Sequence, residues 1–315
     1  MNTYTQKIRE LSLALLKSKK VEKVIGFCQG TLPMATQPVA VTREEDVDRL
    51  VFNSRCALNL ANYLKKSDEK VAVIAKGCDT RNIINHIVEN QIRREDVYII
   101  GVPCKGMVDK NKIAARFDDE ITSFSEDGDQ LSVSSSLKEE TIDKQDVLKD
   151  NCNYCCHRNP VIYDDLAGDL VQEQSLDNEF PDVDAIEDLS KEDKWSHFQN
   201  LTKNCIRCYA CKNACPICYC PTCFVDESGP QWVGKGQNKT DVDTFHFLRA
   251  FHCAGRCTDC GSCVEACPMN INVRDYTRKL NKDCLDLFGW EAGLDLEKRP
   301  PLDAFSPDDP NDFIK

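Results

Sequence analysis

The chain has 315 residues, with 52 acidic against 40 basic side chains, a formal charge of −12 and 20 cysteines. That balance argues against nucleic acid or anionic lipid as a partner. No stretch of about 20 apolar residues is available to span a bilayer, and residues 1–20 are polar and lack the apolar run of a signal peptide. The cysteines are therefore expected to work in a reducing, cytoplasmic setting rather than as disulfides.

The length predicts two domains. In the first, helix and strand alternate. Spacing predicts a helix over 4–20, with Ile8, Leu11, Leu15 and Leu16 on one face. A short strand is expected over 23–28. An amphipathic helix is expected over 46–65, opened by Glu44, Glu45 and Asp46, which suit a helix N-terminus. A buried strand over 71–75, a helix over 80–90 capped by Asp79 or Thr80, and a strand over 97–102 follow. Continuous β-branched runs between helices predict a short parallel sheet covered on both faces, an α/β domain. Residues 111–150 are polar, and Glu126-Asp127-Gly128-Asp129 marks the turn of a hairpin between 114–124 and 130–134. No GxGxxG or Walker pattern occurs; Gly26, Gly77, Gly101 and Gly106 fit strand-end turns.

Cysteines close these strands: Cys28, Cys78 and Cys104. Open α/β sheets put their sites at the carboxyl ends of strands, and Cys152-x2-Cys155 comes later. Cys78, Cys104, Cys152 and Cys155 are thus candidates to converge on one edge and hold a 4Fe–4S cluster, with Cys156 or Cys28 as substitutes for one ligand. The competing reading is that Cys78 and Cys104 are small buried apolar side chains.

Ala75-Lys76-Gly77-Cys78, Ile100-Gly101-Val102-Pro103-Cys104-Lys105-Gly106, and Cys152-x2-Cys155 followed by Asp164-Asp165-Leu166-Ala167-Gly168-Asp169 resemble the beta subunit of the hydrogenases and formate dehydrogenases that reduce the deazaflavin coenzyme. The resemblance covers roughly residues 20–170. It implies that these cysteines surround a 4Fe–4S cluster beside a flavin (FAD). In that family a second half after the Ala167-Gly168-Asp169 stretch helps enclose the flavin, whereas this chain runs on into an acidic segment. FAD accordingly belongs to the alternative reading.

Between positions 164 and 194 there are twelve acids and two lysines. Such composition predicts a solvated linker or a poorly packed helical arm, bounded at 171–197. A helix over 195–201 then leads into the first of two runs, Cys205-x2-Cys208-x2-Cys211-x3-Cys215-Pro216 and Cys257-x2-Cys260-x2-Cys263-x3-Cys267-Pro268. Each has the bacterial ferredoxin spacing for a 4Fe–4S cluster. Three cysteines two residues apart wrap one face of a cubane and leave backbone amides free to donate to sulfur; the fourth, followed by proline, reaches the other cluster. The expected ligand sets are Cys205, Cys208, Cys211 and Cys267 for cluster 1, and Cys257, Cys260, Cys263 and Cys215 for cluster 2. Zinc ribbons use CxxC pairs instead.

Cys218, Cys220 and Cys223 are surplus to two cubanes and are read first as packing, then as spare thiols or ligands of a further metal. Residues 244–253 have helical spacing. The inserted helix resembles the α-helical ferredoxin domains of succinate dehydrogenase and heterodisulfide reductase subunits, and 205–223 looks like the dicluster segment of formate dehydrogenase beta subunits. The resemblance implies a mainly α-helical dicluster domain over 198–290. His246 and His252 are read as packing or surface residues, and Cys253 and Cys284 lack partners at ligand spacing. Residues 291–315 form an acidic tail, Pro/Asp-rich from Pro300, expected to dock on a partner or stay disordered.

No nucleophile–base constellation is visible. The sequence predicts an electron-transfer subunit of an anaerobic oxidoreductase hetero-oligomer, with two or three 4Fe–4S clusters. It would join a catalytic subunit to a flavin-containing or heterodisulfide-reductase-like iron–sulfur partner. Arg207, Lys212 and Arg256 lie beside ligands and are candidates to raise cluster potentials, or else plain surface charges. The alternative is a flavin-containing beta subunit that itself reduces a deazaflavin or nicotinamide coenzyme. An iron–sulfur sensor is disfavoured, since no DNA-binding helix or basic patch accompanies the cysteines.

Overall fold

The computed structural model describes residues 3–64 and 69–303. The chain divides into two compact units, residues 1–81 with 90–176, and residues 82–89 with 177–315. Positions 304–315 of the expected tail, and Lys65 at the end of the expected second helix, lie outside the described residues.

In the first unit, α1 (Thr3–Lys17) buries Ile8, Leu15 and Leu16. It ends before Lys20 because Lys19 turns left-handed, with φ +53°. β1 (Lys23–Gln29), β2 (Thr36–Val41) and β3 (Leu50–Val51) follow. The amphipathic helix expected over 46–65 does not form. The segment makes short 3-10 turns at Glu44–Arg49 and Leu60–Tyr63 on either side of β3. Leu50 and Val51 pair with Cys28 and Phe27 of β1. The Asn53 and Asn59 side chains accept from the Arg55 and Ala61 amides at 2.8 and 3.1 Å, the local competition by which asparagine displaces helix.

β4 (Val71–Ala75) is buried throughout and leads into α2 (Gly77–Val88). This helix starts earlier than the expected 80–90. Neither Asp79 nor Thr80 is its N-cap; the Asp79 carboxylate sits in the first turn and reaches back to the Lys76 amide at 2.8 Å, as the third residue of a capping box does. After β5 (Val97–Gly101) and the one-turn helix α3 (Lys110–Ala114), the expected hairpin is β6 (Ile121–Asp127) and β7 (Gln130–Ser135), and β8 (Glu139–Asp143) extends it to three strands. The short helix α4 (Asp150–Asn153) and β9 (Asp165–Leu166) complete the unit.

The main sheet has the order β2-β1-β4-β5-β9, with β3 also on β1. β1, β4, β5 and β9 run parallel, while β2 and β3 are antiparallel to β1. The α/β reading holds, but the sheet is mixed rather than purely parallel.

The second unit contributes α5 (Pro181–Glu187), α6 (Lys191–Thr202), α7 (Ala210–Asn213), α8 (Lys239–Cys253), α9 (Ser262–Glu265) and α10 (Arg274–Phe288). The stretch expected as an acidic linker, 171–197, holds α5 and the start of α6. Some of its acids pair with basic side chains: Asp182 with Arg278 at 2.6 Å, and Glu187 with Lys279 at 2.7 Å and Lys282 at 3.2 Å. Val183 is buried. The counter-charges lie on α10, about a hundred residues away, which composition read over a local window does not register. Phe245 of α8 centres a core with Cys211, Val225, Val233, Ile271 and Val273.

Candidate metal centres

The two cysteine runs fold alike. In the first, Arg207 and Tyr209 have φ of +49° and +59°; in the second, Asp259 and Gly261 have +52° and +73°. These are the same two steps after Cys205 and after Cys257. Left-handed backbone at three non-glycine residues costs energy that the surroundings must outweigh. What it achieves is a loop that curls its amides inward: Arg207 N donates to Cys205 Sγ, and Asp259 N to Cys257 Sγ, both at 3.4 Å. One-turn helices, α7 and α9, then carry the third cysteine of each run. N–H groups aimed at sulfur favour the thiolate, the form that ligates metal.

Cys205, Cys208, Cys211 and Cys267 line one apolar pocket, walled by Phe245, Ile271 and Val273. Burial pushes the Cys205 and Cys211 thiols up, and each is raised further by its neighbours, Cys267 among them. Such a donor set fits a positively charged metal core, which would relieve the crowding of thiolates. His246, read from sequence as packing, sits at this site: Nε2 is 3.2 Å from Cys205 Sγ. Burial, then Arg249, brings its pKa down to about 4, so the ring is neutral, and in its Nε2–H tautomer it would donate to a ligating thiolate. A histidine on α8 opposite a cysteine 41 positions earlier leaves no spacing signal.

Around the second run, burial pushes the Cys260 thiol up to about 12, with Cys215 and Cys257 adding to it. Cys257 and Cys263 are likewise raised by burial and feel Cys215. Cys215 therefore lies among Cys257, Cys260 and Cys263. It also has company that the sequence did not suggest: the Sγ atoms of Cys215, Cys218 and Cys253 all lie within 4.8 Å of one another. Hydrogen bonds from Cys218 and Cys253, with Arg249 nearby, hold Cys215 well below the ordinary thiol range despite burial. Cys253 thus has partners in space that spacing did not reveal, and Cys218 is not simple packing. Cys223 does pack against the Phe245 core, Cys220 is exposed, and Cys284 is buried.

The basic residues singled out from sequence are mostly neutralised. Lys212 pairs with Asp226 at 2.8 Å. Arg256 pairs with Glu89 at 2.5 Å. Arg207 donates to the carbonyls of Gly234 and Gly236. A further buried cation near these thiols is Arg249, which the sequence reading missed. It donates to the Cys211 carbonyl at 3.1 Å and its Nε has no partner. Its electrostatic neighbours are the thiols of Cys253, Cys215, Cys263 and Cys218. Residues 82–89, the second half of α2 and the residue after it, also belong to this unit. Asn82 donates to Thr258 Oγ1 at 2.6 Å, Asn85 to the Arg256 carbonyl at 2.7 Å, and His86 to the Pro216 carbonyl at 2.7 Å.

In the first unit Cys104, Cys152 and Cys155 influence one another electrostatically, and Cys78 shares the neighbour Lys76 with Cys104. Cys78 is in the first turn of α2, Cys104 follows β5, and Cys152 and Cys155 come from α4 and the loop after it. Gly106 N donates to Cys104 Sγ at 3.4 Å, the same two-residue step as in the runs, and Met107 N to Cys152 Sγ at 3.3 Å. Burial pushes Cys104 and Cys155 up to about 12, and each is raised further by Cys152. Lys76, fully buried, lies near both Cys78 and Cys104 and is kept charged against burial chiefly by Asp79, 2.9 Å away. The loop after Cys155 is pinned here, because the Cys104 amide donates to the Arg158 carbonyl at 2.8 Å. A Cβ on Gly77 would overlap the His157 carbonyl, so glycine is required for this approach. Of the named substitutes, Cys156 Sγ turns to the Tyr154 carbonyl, and Cys28 is buried within β1.

The chain thus combines an α/β unit with thiols after its strands and a second unit with two matching cysteine-bearing loops. Over nearly its whole length the chain is similar to beta subunits of F420-dependent formate dehydrogenases. The relative from Methanocaldococcus jannaschii is 24% identical over 353 aligned positions, covering 91% of each chain. The formate dehydrogenase 1 beta subunit of Methanococcus maripaludis is 24% identical over 358 positions, 93% of this chain and 92% of that one. The likeness thus extends well beyond residues 20–170. No protein-family model matches. A solved F420-reducing [NiFe] hydrogenase complex from Methanosarcina barkeri aligns with TM-score 0.34 and 14% identity, over 49% of this chain and 62% of that one. Among the described residues no helix is long and apolar enough to cross a membrane.

Proposed function

We propose that this chain is the iron–sulfur electron-transfer subunit of a cytoplasmic, formate-dehydrogenase-type oxidoreductase complex. Electrons would pass through 4Fe–4S clusters between a catalytic subunit and a flavin-containing or heterodisulfide-reductase-like partner. Cys205, Cys208, Cys211 and Cys267 hold cluster 1, and Cys257, Cys260, Cys263 and Cys215 hold cluster 2, in a mainly helical ferredoxin-like domain. Cys78, Cys104, Cys152 and Cys155 hold a third. The observation that carries the reading is the matching pair of inward-curled loops, each offering amide donors to sulfur, in a chain similar end to end to formate dehydrogenase beta subunits. The clusters supply one-electron transfer; the protein's part is to hold, insulate and tune them.

The second reading, a flavin-bearing subunit that itself reduces a deazaflavin, is favoured by one observation: the similar proteins are named as F420-dependent. One experiment separates the two. The full chain is reconstituted anaerobically with iron, sulfide and FAD, then assayed with formate or hydrogen as donor and a deazaflavin, nicotinamide or viologen as acceptor. The relay predicts iron and sulfide without retained flavin, bleaching by dithionite, and no turnover until a catalytic subunit is added. Bound flavin with steady turnover by the isolated chain establishes the other reading.

A further inference from the structure

Two thiols sit beside Cys215 without a place in the two cluster sets. Cys218 is held there by the turn that follows, its amide donating to the Cys215 carbonyl at 3.1 Å. Cys253 arrives from a separate element, the last residue of α8, and its carbonyl accepts from the Cys257 amide at 2.9 Å. Each is therefore fastened to a ligand-bearing segment, and all three sulfurs meet within 4.8 Å. Cys253 is 2% exposed. Arg249, one turn earlier on α8, points its charge at Cys253, Cys215, Cys263 and Cys218 together, and its Nε is left without a partner.

We propose that Cys218 and Cys253 are reserve ligands of cluster 2, either of them able to take the iron corner assigned to Cys215. The inference rests on the two-cluster reading of the second unit. In the exchange, the incoming cysteine loses its proton to solvent and forms an Fe–S bond. The bond from Cys215 breaks and Cys215 takes up a proton. No electron moves.

The test uses the full chain, reconstituted anaerobically with ferrous iron and sulfide, with iron, sulfide and the EPR spectrum of the reduced protein as readouts. Cys215→Ala should keep wild-type iron and show an altered EPR signal. The triple variant Cys215→Ala/Cys218→Ala/Cys253→Ala should lose iron from one cluster. The two double variants that pair Cys215→Ala with either reserve report which thiol steps in. Equal iron loss in the single and triple variants overturns the proposal. So does iron loss in Cys218→Ala/Cys253→Ala with Cys215 intact, which would make these thiols primary ligands. If Cys215→Ala does not fold by circular dichroism, Cys215→Ser replaces it. Adding the two reserve substitutions to Cys215→Ser should then change the EPR signal, and an unchanged signal refutes the reserve role. Cys260→Ala is the control for the underlying reading: if it leaves iron unchanged, the two-cluster reading itself fails.

Discussion

His246 Nε2 lies 3.2 Å from Cys205 Sγ, and the ring is 3% exposed. In its Nε2–H tautomer the neutral ring would donate to a ligating thiolate, and an N–H···S bond draws charge off sulfur, favouring the reduced state of any cluster it holds. His246→Phe should therefore lower the cluster 1 potential. A net hydrogen bond of about 1 kcal/mol corresponds to roughly 40 mV for a one-electron couple. Redox titration followed by EPR measures this, with iron content unchanged; an unshifted potential would show that the contact is only packing.

Arg249 should act on the other cluster, and more strongly. Its charge faces four thiols. A unit charge a few ångström away at an effective dielectric of 20 is worth on the order of 2–3 kcal/mol, or roughly 100 mV. Arg249→Met, which keeps the bulk, should move the cluster 2 potential negative by about that much and cluster 1 by less, since Arg249 also acts on Cys211.

The contrast between these two residues and the cysteine runs explains what the sequence could say. Ligand spacing within a run is local: three cysteines two apart must share a loop, so the spacing is visible on inspection. His246, Arg249 and Cys253 act from one helix on sulfurs contributed by segments tens of residues away, and only the fold brings them there. The same holds for α5, whose acids look solvated until α10 supplies Lys279, Lys282 and Arg278. In the first unit, β4 and β5 were legible from β-branched runs. The segment 46–65 was not, because pairing of Leu50 and Val51 with β1 and the two asparagine turns outweigh its helical periodicity.

Gly77 tests the first-unit site. A side chain there would strike the His157 carbonyl and come within 2.8 Å of the Asn159 carbonyl oxygen. Both are backbone atoms of the loop whose Arg158 carbonyl accepts from Cys104. Gly77→Ala must push that loop away, at a cost of about 1–3 kcal/mol. It should lower the thermal midpoint and reduce iron per chain by one cluster, while the EPR signals of clusters 1 and 2 persist.

Docking of α5 should weaken in acid. Glu187 is held below the usual carboxylate range by Lys279 and then Lys282, with Asp184 also 3.7 Å from Lys282. A depressed folded value contributes stability that is present above the unfolded pKa of about 4.3 and is lost as pH falls through the folded value. These groups are about a third exposed, so the effect is small, under about 1 kcal/mol. Amide exchange at Val183 should accelerate below about pH 4, and Glu187→Gln should accelerate it already at neutral pH.

Asp259 carries the heaviest structural load of any charge near the second run. Its carboxylate receives Arg274 through two bonds of 2.6 and 2.7 Å and Arg278 through one of 2.8 Å. The two arginine side chains are only 3% and 4% exposed. Both are pushed by burial toward losing charge and are held cationic chiefly by Asp259. The residue also sits at φ +52° between Cys257 and Cys260, so the ion network fixes the curl that turns the Asp259 amide toward Cys257 Sγ. Removing the charge strands two buried guanidinium groups, leaving Asp182, which pairs with Arg278 and lies near Arg274, as the remaining carboxylate named for them. Breaking a buried pair in this way costs about 3–5 kcal/mol. Asp259→Asn keeps the shape and tolerates left-handed backbone, so its loss reports the charge rather than the turn. The expected result is a strongly lowered unfolding midpoint and loss of the cluster 2 EPR signal, measured on the full chain. Near-wild-type stability would mean that the arginines find other partners and that the loop holds its curl unaided.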